Sequence, residues 1–235
     1  MITKRTVLTR QHPFEFDVSQ TALLVIDMQI DFCDRTGFCS ANLKADVSAI
    51  QAMIPRLRNV IEWARRQGIW IIYTRESHKP DLSDLSPSKQ LRYTNAGYPV
   101  GSLGDRGKFL IQGEPGTEIL PELAPQANDW QLDKPAQSIF IGTSLEKQLH
   151  QRDITHLLIT GVTTQCCVLG TYRQASDLGF YALLLEDCCA AFDPIEHEAA
   201  IAVLLSENGA IGWVATSEQL ITATSRSSHH TDSQL

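Results

Sequence analysis

Short continuous apolar runs alternate with segments of helical periodicity along most of this chain. Residues 21–27 (TALLVID) form an apolar run closed by an acid, the pattern of a strand buried on both faces. Over 47–67, Ile50, Ile54, Leu57, Ile61 and Ala64 recur at helical spacing, with Pro55 placed to kink or divide that helix and Gly68 to end it. Residues 69–74 (IWIIYT) read as a second strand, and 130–132 and 138–141 as short extended pieces. The rhythm returns with a strand at 156–160, a helix at 164–178, a strand at 180–185, a helix at 195–206, a strand at 211–214 and a short helix from Ser217. Such alternation implies an α/β fold, a mostly parallel sheet covered by helices on both faces. Ligands in such folds bind beyond the carboxyl ends of the strands, which marks Asp27, Thr74, Arg75, residues 161–164, Glu186 and Asp187. Residues 75–128 are rich in polar residues, Gly and Pro. A loop of that length is expected to be functional, with a short helix around 119–123.

Composition narrows the function classes. A chain of 235 residues with 43% apolar and 20% charged residues can bury one sizeable core. Lys plus Arg number 20 against 27 for Asp plus Glu, so the net charge of −7 offers no global attraction for nucleic acid or a membrane surface. The N-terminal stretch is polar and broken by Pro13, unlike a signal peptide, and no run approaches the roughly 18–20 apolar residues of a membrane span. Six cysteines include the adjacent pairs Cys166, Cys167 and Cys188, Cys189, which are poorly placed to bridge each other. Reduced thiols and a cytoplasmic location are therefore expected. The chain divides into an N-terminal arm (1–20), one domain (21–223) and a polar, frayed tail (224–235).

Three features carry chemistry. Asp27 closes the first apolar strand, where an acid serves equally as a helix cap or as a functional group. Lys134 stands in LDKP, and a lone lysine is ordinarily a solvated surface group. The segment GVTTQCCV (161–168) follows a strand directly and opens a helix, placing Cys166 and Cys167 in its first turn. Free N–H groups and the positive end of the helix dipole favour a thiolate there and can hold an oxyanion. A thiol of pKa near 8.5 is only about 3% ionised at pH 7, so a neighbouring ammonium or carboxylate would have to activate it.

The stretches LLVIDMQIDF (23–32), DKPAQSIF (133–140) and GVTTQCCV (161–168), in this order and spacing, resemble the isochorismatase-like cysteine hydrolase superfamily over residues 20–223. The resemblance implies a three-layer αβα sandwich with a mostly parallel, roughly six-stranded sheet. It implies a catalytic triad at Asp27, Lys134 and Cys167, the nucleophile being the cysteine that immediately precedes Val168. It also implies a cis peptide between Val162 and Thr163, with the Thr163 and Cys167 N–H groups as oxyanion hole, and a homo-oligomer such as a tetramer. Within the superfamily, TRESHKPDL (74–82), GEPG (113–116) and LLEDCC (184–189) are most similar to biuret amidohydrolases. That resemblance implies hydrolysis of biuret to allophanate and ammonia, with Phe32 as a pocket wall. Glu207 falls where those enzymes carry a substrate-binding glutamine, and a carboxylate there would favour a substrate richer in N–H, such as triuret. Ureidoacrylate is a further candidate substrate, and a catalytically silent binding or assembly module is the alternative of another class.

No cofactor is expected, and no metal. Cys33 and Cys39 lack a C-x-x-C or H-x-x-x-H partner pattern. Nicotinamidases of the superfamily use an Asp and histidines, whereas His78 is the only histidine between residues 13 and 149. Gly101, Gly104 and Gly107 follow no strand and do not read as a nucleotide loop. His197 and Glu198 read as surface groups, and Cys188 and Cys189 as small packing residues after a strand end.

Overall fold

The structure, a computed structural model, describes residues 4–225. Its strands are β1 (Lys4–Val7), β2 (Phe14–Asp17), β3 (Thr21–Ile26), β4 (Trp70–Glu76), β5 (Leu103–Gly104), β6 (Gly107–Lys108), β7 (Trp130–Lys134), β8 (His156–Val162), β9 (Tyr181–Ala190), β10 (Trp213–Ala215) and β11 (Thr224–Ser225). The helices are α1 (Ile30–Cys33), α2 (Phe38–Leu43), α3 (Ser48–Gln67), α4 (Pro87–Asn95), α5 (Leu145–Gln151), α6 (Leu169–Asp177), α7 (Pro194–Leu205) and α8 (Ser217–Ile221). Six strands in the order β10-β9-β8-β3-β4-β7 make the central sheet, with every neighbouring pair parallel. This is the expected α/β fold.

Alternation along the strands divides the core between the two faces. Leu23 and Val25 of β3 face α3, whose Ile50, Leu57, Ile61 and Ala64 recur at the helical spacing of the sequence. Ala22, Leu24 and Ile26 face the opposite layer, where Leu149, Tyr172 and Leu204 come from α5, α6 and α7. Each fully buried aliphatic side chain of this kind contributes roughly 1.5–3 kcal/mol. Pro55 does not divide α3. Its ring lies on the exposed side, where the helix forgoes one hydrogen bond while Ile54 and Leu57 stay packed in the core.

Several sequence readings are corrected. Residues 138–141 form a turn rather than a strand, and 119–123 holds a 3-10 turn, Pro121–Leu123. The region 75–128 carries α4 and the β5–β6 hairpin, and with α2 it builds a third apolar cluster around Phe38, Phe109 and Ile111. β9 continues through Glu186 to Ala190, so Cys188 and Cys189 lie within a strand. β1, β2 and β11 form a small antiparallel sheet, with Thr6 opposite Thr224. Thr224 is thus part of the fold. Residues 226–235 of the expected tail lie outside the described residues.

Candidate active site

The sheet order reverses beside β3: the chain proceeds to β4 and β7 on one side, then crosses to β8, β9 and β10 on the other. The crevice beyond the carboxyl ends of β3 and β8 is the topological switch point, where this fold class places ligands. Asp27 follows β3, Glu76 ends β4, Lys134 ends β7 and Cys167 lies in the turn after β8. Glu76 and Lys134 are direct register partners.

Local backbone features aim these groups. Asp27 has φ 50°, in the left-handed region that few non-glycine residues enter and that Asp tolerates best. Its N–H is held by the Thr74 carbonyl at 3.2 Å, and its Oδ1 accepts the Thr74 hydroxyl at 2.7 Å. At Gly161, φ is 111° and an added Cβ would lie 2.1 Å from the Ile26 carbonyl oxygen, so only glycine lets β8 approach β3 so closely here. A register shift between β8 and β9 falls at the same place. The Val162–Thr163 peptide that follows is cis. Thr164–Val168 then forms a single π-helical turn leading into α6, and it carries Cys167.

The structure brings Asp27, Lys134 and Cys167 together. Lys134 Nζ lies 2.8 Å from Asp27 Oδ2, 3.2 Å from Glu76 Oε2 and 3.4 Å from Cys167 Sγ, and it donates to the Ala136 carbonyl at 2.8 Å. All four groups are buried. Carboxylate oxygens of Asp27 and Glu76 and the Cys167 sulfur lie within 4.8 Å of one another, close enough to suggest a cation site. The Lys134 ammonium touches all three and so already supplies the charge such a donor set would attract.

Glu76 is the residue that sequence reasoning missed. Its Oε1 accepts Lys89 Nζ at 2.6 Å and the Tyr93 hydroxyl at 3.2 Å, while its Oε2 accepts Lys134 Nζ and the Cys167 thiol at 3.1 Å. Lys89 also donates to the Pro135 carbonyl at 2.9 Å and to His78 Nε2 at 2.8 Å. The His78 ring is therefore neutral, with Nδ1–H directed at Asp84. Burial and the Lys89 ammonium lower its pKa, in agreement. Strand-end position had marked Thr74 and Arg75. Glu76 was legible as the residue two beyond Thr74, on the same face of the strand. Lys89 was legible through Ser86 and Pro87, a helix cap followed by proline at the first position.

The two carboxylates have opposite electrostatics. Burial raises the Asp27 pKa and Glu76 adds to the rise, with Lys134 opposing. Burial would raise Glu76 too, but Lys134 and Lys89 together hold it well below the usual carboxylate range. Burial works against the Lys134 ammonium, yet Asp27, Cys167 and Glu76 keep it charged. The Cys167 thiol is pushed up by its contact with Cys166, by burial and by the two carboxylates, against the pull of Lys134. The helix start and the lysine that would favour a thiolate are thus opposed here chiefly by the Cys166 contact and by burial, with the two carboxylates adding to the rise.

A cavity of about 310 Å³ opens onto this array. Phe32, Thr163, Cys166, Cys167, Glu76 and Tyr93 are among its lining residues. Glu207 is not among them. It is exposed in the turn after α7, a helix that starts near the site and runs back for 12 residues, about 18 Å, toward the amino ends of the parallel strands β9 and β10 that it connects. The α7 residue that does line the cavity is Glu196, in the first turn, hydrogen-bonded by Gln165. His197 is half-buried rather than free on the surface, its Nδ1 2.8 Å from the Thr164 hydroxyl.

The isochorismatase domain model matches residues 21–219. This chain belongs to the isochorismatase family. Similar solved structures include a cysteine hydrolase from Pseudomonas syringae pv. phaseolicola 1448A, 24% identical with a TM-score of 0.75, covering 91% of this chain and 95% of that one. An N-carbamoylsarcosine amidase from Thermoplasma acidophilum is 25% identical with a TM-score of 0.64, over 85% of this chain and 97% of its own. A nicotinamidase/pyrazinamidase from Bacillus subtilis is 25% identical with a TM-score of 0.66, over 83% of this chain and 99% of its own. Among the described residues, no helix is long and apolar enough to cross a membrane.

Proposed function

We propose that this protein is an amidohydrolase that cleaves the C–N bond of a small urea-type amide, with biuret as the favoured substrate. The observation that carries this reading is one buried ammonium, Lys134, touching both Asp27 and the Cys167 sulfur, the last of which lines a cavity. Asp27 is the better base of the two carboxylates, because its environment raises its proton affinity while that of Glu76 lowers it. It takes the Cys167 proton, and the sulfur lone pair forms a bond to the substrate carbonyl carbon. The carbonyl electron pair moves onto oxygen, where the Thr163 and Cys167 N–H groups serve as donors. Collapse breaks the C–N bond as Asp27 returns the proton to the departing nitrogen. Water then cleaves the thioester-like acyl enzyme. For biuret, the products are ammonia and allophanate.

Phe32 serves as the wall against which a planar substrate stacks. The triuret alternative rested on Glu207, which lies outside the cavity lining, so biuret is the simpler assignment. The six unpaired cysteines support a reducing, cytoplasmic setting. Ammonia release from biuret, triuret and ureidoacrylate tests the reading. Cys167→Ala is expected to lose at least about 10⁴-fold in kcat/KM, and a variant that retained the wild-type rate would refute the assignment.

A further inference from the structure

The second buried carboxylate has no place in the proton transfer just described, yet it holds the hydrogen of the nucleophile. Cys167 donates to Glu76 Oε2 at 3.1 Å, while the thiol makes no hydrogen bond to Asp27. Glu76 is kept anionic by two ammoniums, Lys89 at 2.6 Å and Lys134 at 3.2 Å, and is oriented by the Tyr93 hydroxyl. It nevertheless borders the cavity, so a bound molecule reaches it. Keeping an anion beside a nucleophile that must itself become anionic opposes catalysis, unless the substrate removes the conflict.

We propose that Glu76 is the specificity-determining residue of this site: it accepts an N–H from a nitrogen bonded to the attacked carbonyl carbon, and in doing so releases the Cys167 hydrogen toward Asp27. The geometry supports this directly. In an attack-ready complex the carbonyl carbon sits about 3–3.5 Å from the sulfur. Because Glu76 Oε2 lies 3.1 Å from that sulfur, a nitrogen one bond further on can come within hydrogen-bond reach of the carboxylate oxygen that the thiol occupies in the free protein. The exchange is balanced: Oε2 trades an S–H donor for an N–H donor, no proton is transferred to Glu76, and the thiol proton goes to Asp27. A carboxylate accepts only, so amides bearing N–H at this position are selected over esters and fully alkylated amides. The groups facing Cys167 in this exchange are Asp27 from β3, Glu76 from β4, Lys134 from β7, and Cys166 in its own turn. Lys89 and Tyr93 of α4 face Glu76.

This inference rests on the hydrolase reading, and its test is separable from it. Alkylation of Cys167, followed by mass spectrometry against a Cys167→Ala control, compares iodoacetamide, which offers an N–H, with N,N-dimethyl-2-iodoacetamide, which is equally neutral and offers none. In the wild-type protein the iodoacetamide preference is expected to exceed that of free glutathione by about tenfold or more. In Glu76→Gln it is expected to collapse toward the glutathione value. The ratio of amide to p-nitrophenyl ester kcat/KM should also fall about tenfold or more in Glu76→Gln. A wild-type preference equal to that of glutathione overturns the proposal even if the variant does not fold. Equal losses on amide and ester overturn it as well, because they would make Glu76 a general support of the site. Absence of ammonia release from every amide refutes the hydrolase reading instead, and leaves the alkylation result to be judged by itself.

Discussion

Replacing Lys89 by methionine removes a buried ammonium while keeping most of its apolar stem. The side chain is 5% exposed, and its Nζ donates to Glu76 at 2.6 Å, His78 at 2.8 Å and the Pro135 carbonyl at 2.9 Å. Removing one partner of a buried pair leaves an uncompensated charge, which typically costs 3–5 kcal/mol. Glu76 keeps Lys134, so we take the middle of that range, about 4 kcal/mol. For a chain of this size that corresponds to a fall in Tm of roughly 8–16 °C. The pH dependence follows from Glu76, whose carboxyl is depressed from an ordinary value of 4.5. A depressed carboxyl contributes stability that is present above the unfolded pKa and lost as the pH falls through the folded one. The gap between wild type and Lys89→Met should therefore be fully open above pH 4.5 and narrow below it. Urea unfolding across pH 3.5–8 measures the gap, and a cycle with Glu76→Gln isolates the pair, with an expected coupling of about 2–3 kcal/mol. A loss below about 1 kcal/mol that is independent of pH, or strict additivity in the cycle, would refute the account of this array as an interdependent charge cluster.

Two further perturbations probe the frame around the site. Gly161→Ala places a Cβ 2.1 Å from the Ile26 carbonyl oxygen and should cost more than about 3 kcal/mol, whereas Gly68→Ala, with φ 75° and nothing within 4 Å, should cost about 1 kcal/mol. Equal losses in thermal melts would remove close strand approach as the reason for Gly161. Burial pushes the Asp31 carboxyl up to about 6 from 3.8, against hydrogen bonds from the Phe38 and Leu110 backbone. Its raised pKa favours folding fully below pH 3.8, and that stability is lost as the pH rises through 6, so wild type should fall by about 3 kcal/mol relative to Asp31→Asn across that interval. A flat difference would show that Asp31 is not desolvated as the structure places it.

The periodicity of the chain determined the layered α/β fold. A run such as TALLVID has no polar face to offer water, and α3 has one apolar stripe, so each must be covered by the other. It also located Asp27 and the Cys167 turn, because both stand immediately beyond strands whose apolar runs are visible as such. Lys134 was different: nothing local distinguishes it from a surface lysine, and only its family motif singled it out. Glu207 shows the reverse limit, since a residue two positions past the end of α7 is carried by helix geometry away from the carboxyl ends of the strands, where the site lies. Only the tertiary structure decided that Glu76, 91 residues from Cys167 in the chain, accepts the Cys167 thiol hydrogen, and that Lys89 and Lys134 keep it charged there. The physical reason is that burial and Coulomb energies depend on which side chains several separate strands bring within a few ångströms. Periodicity dictates which residues are covered, and the packing of the strand ends dictates which charges must share the same dry space.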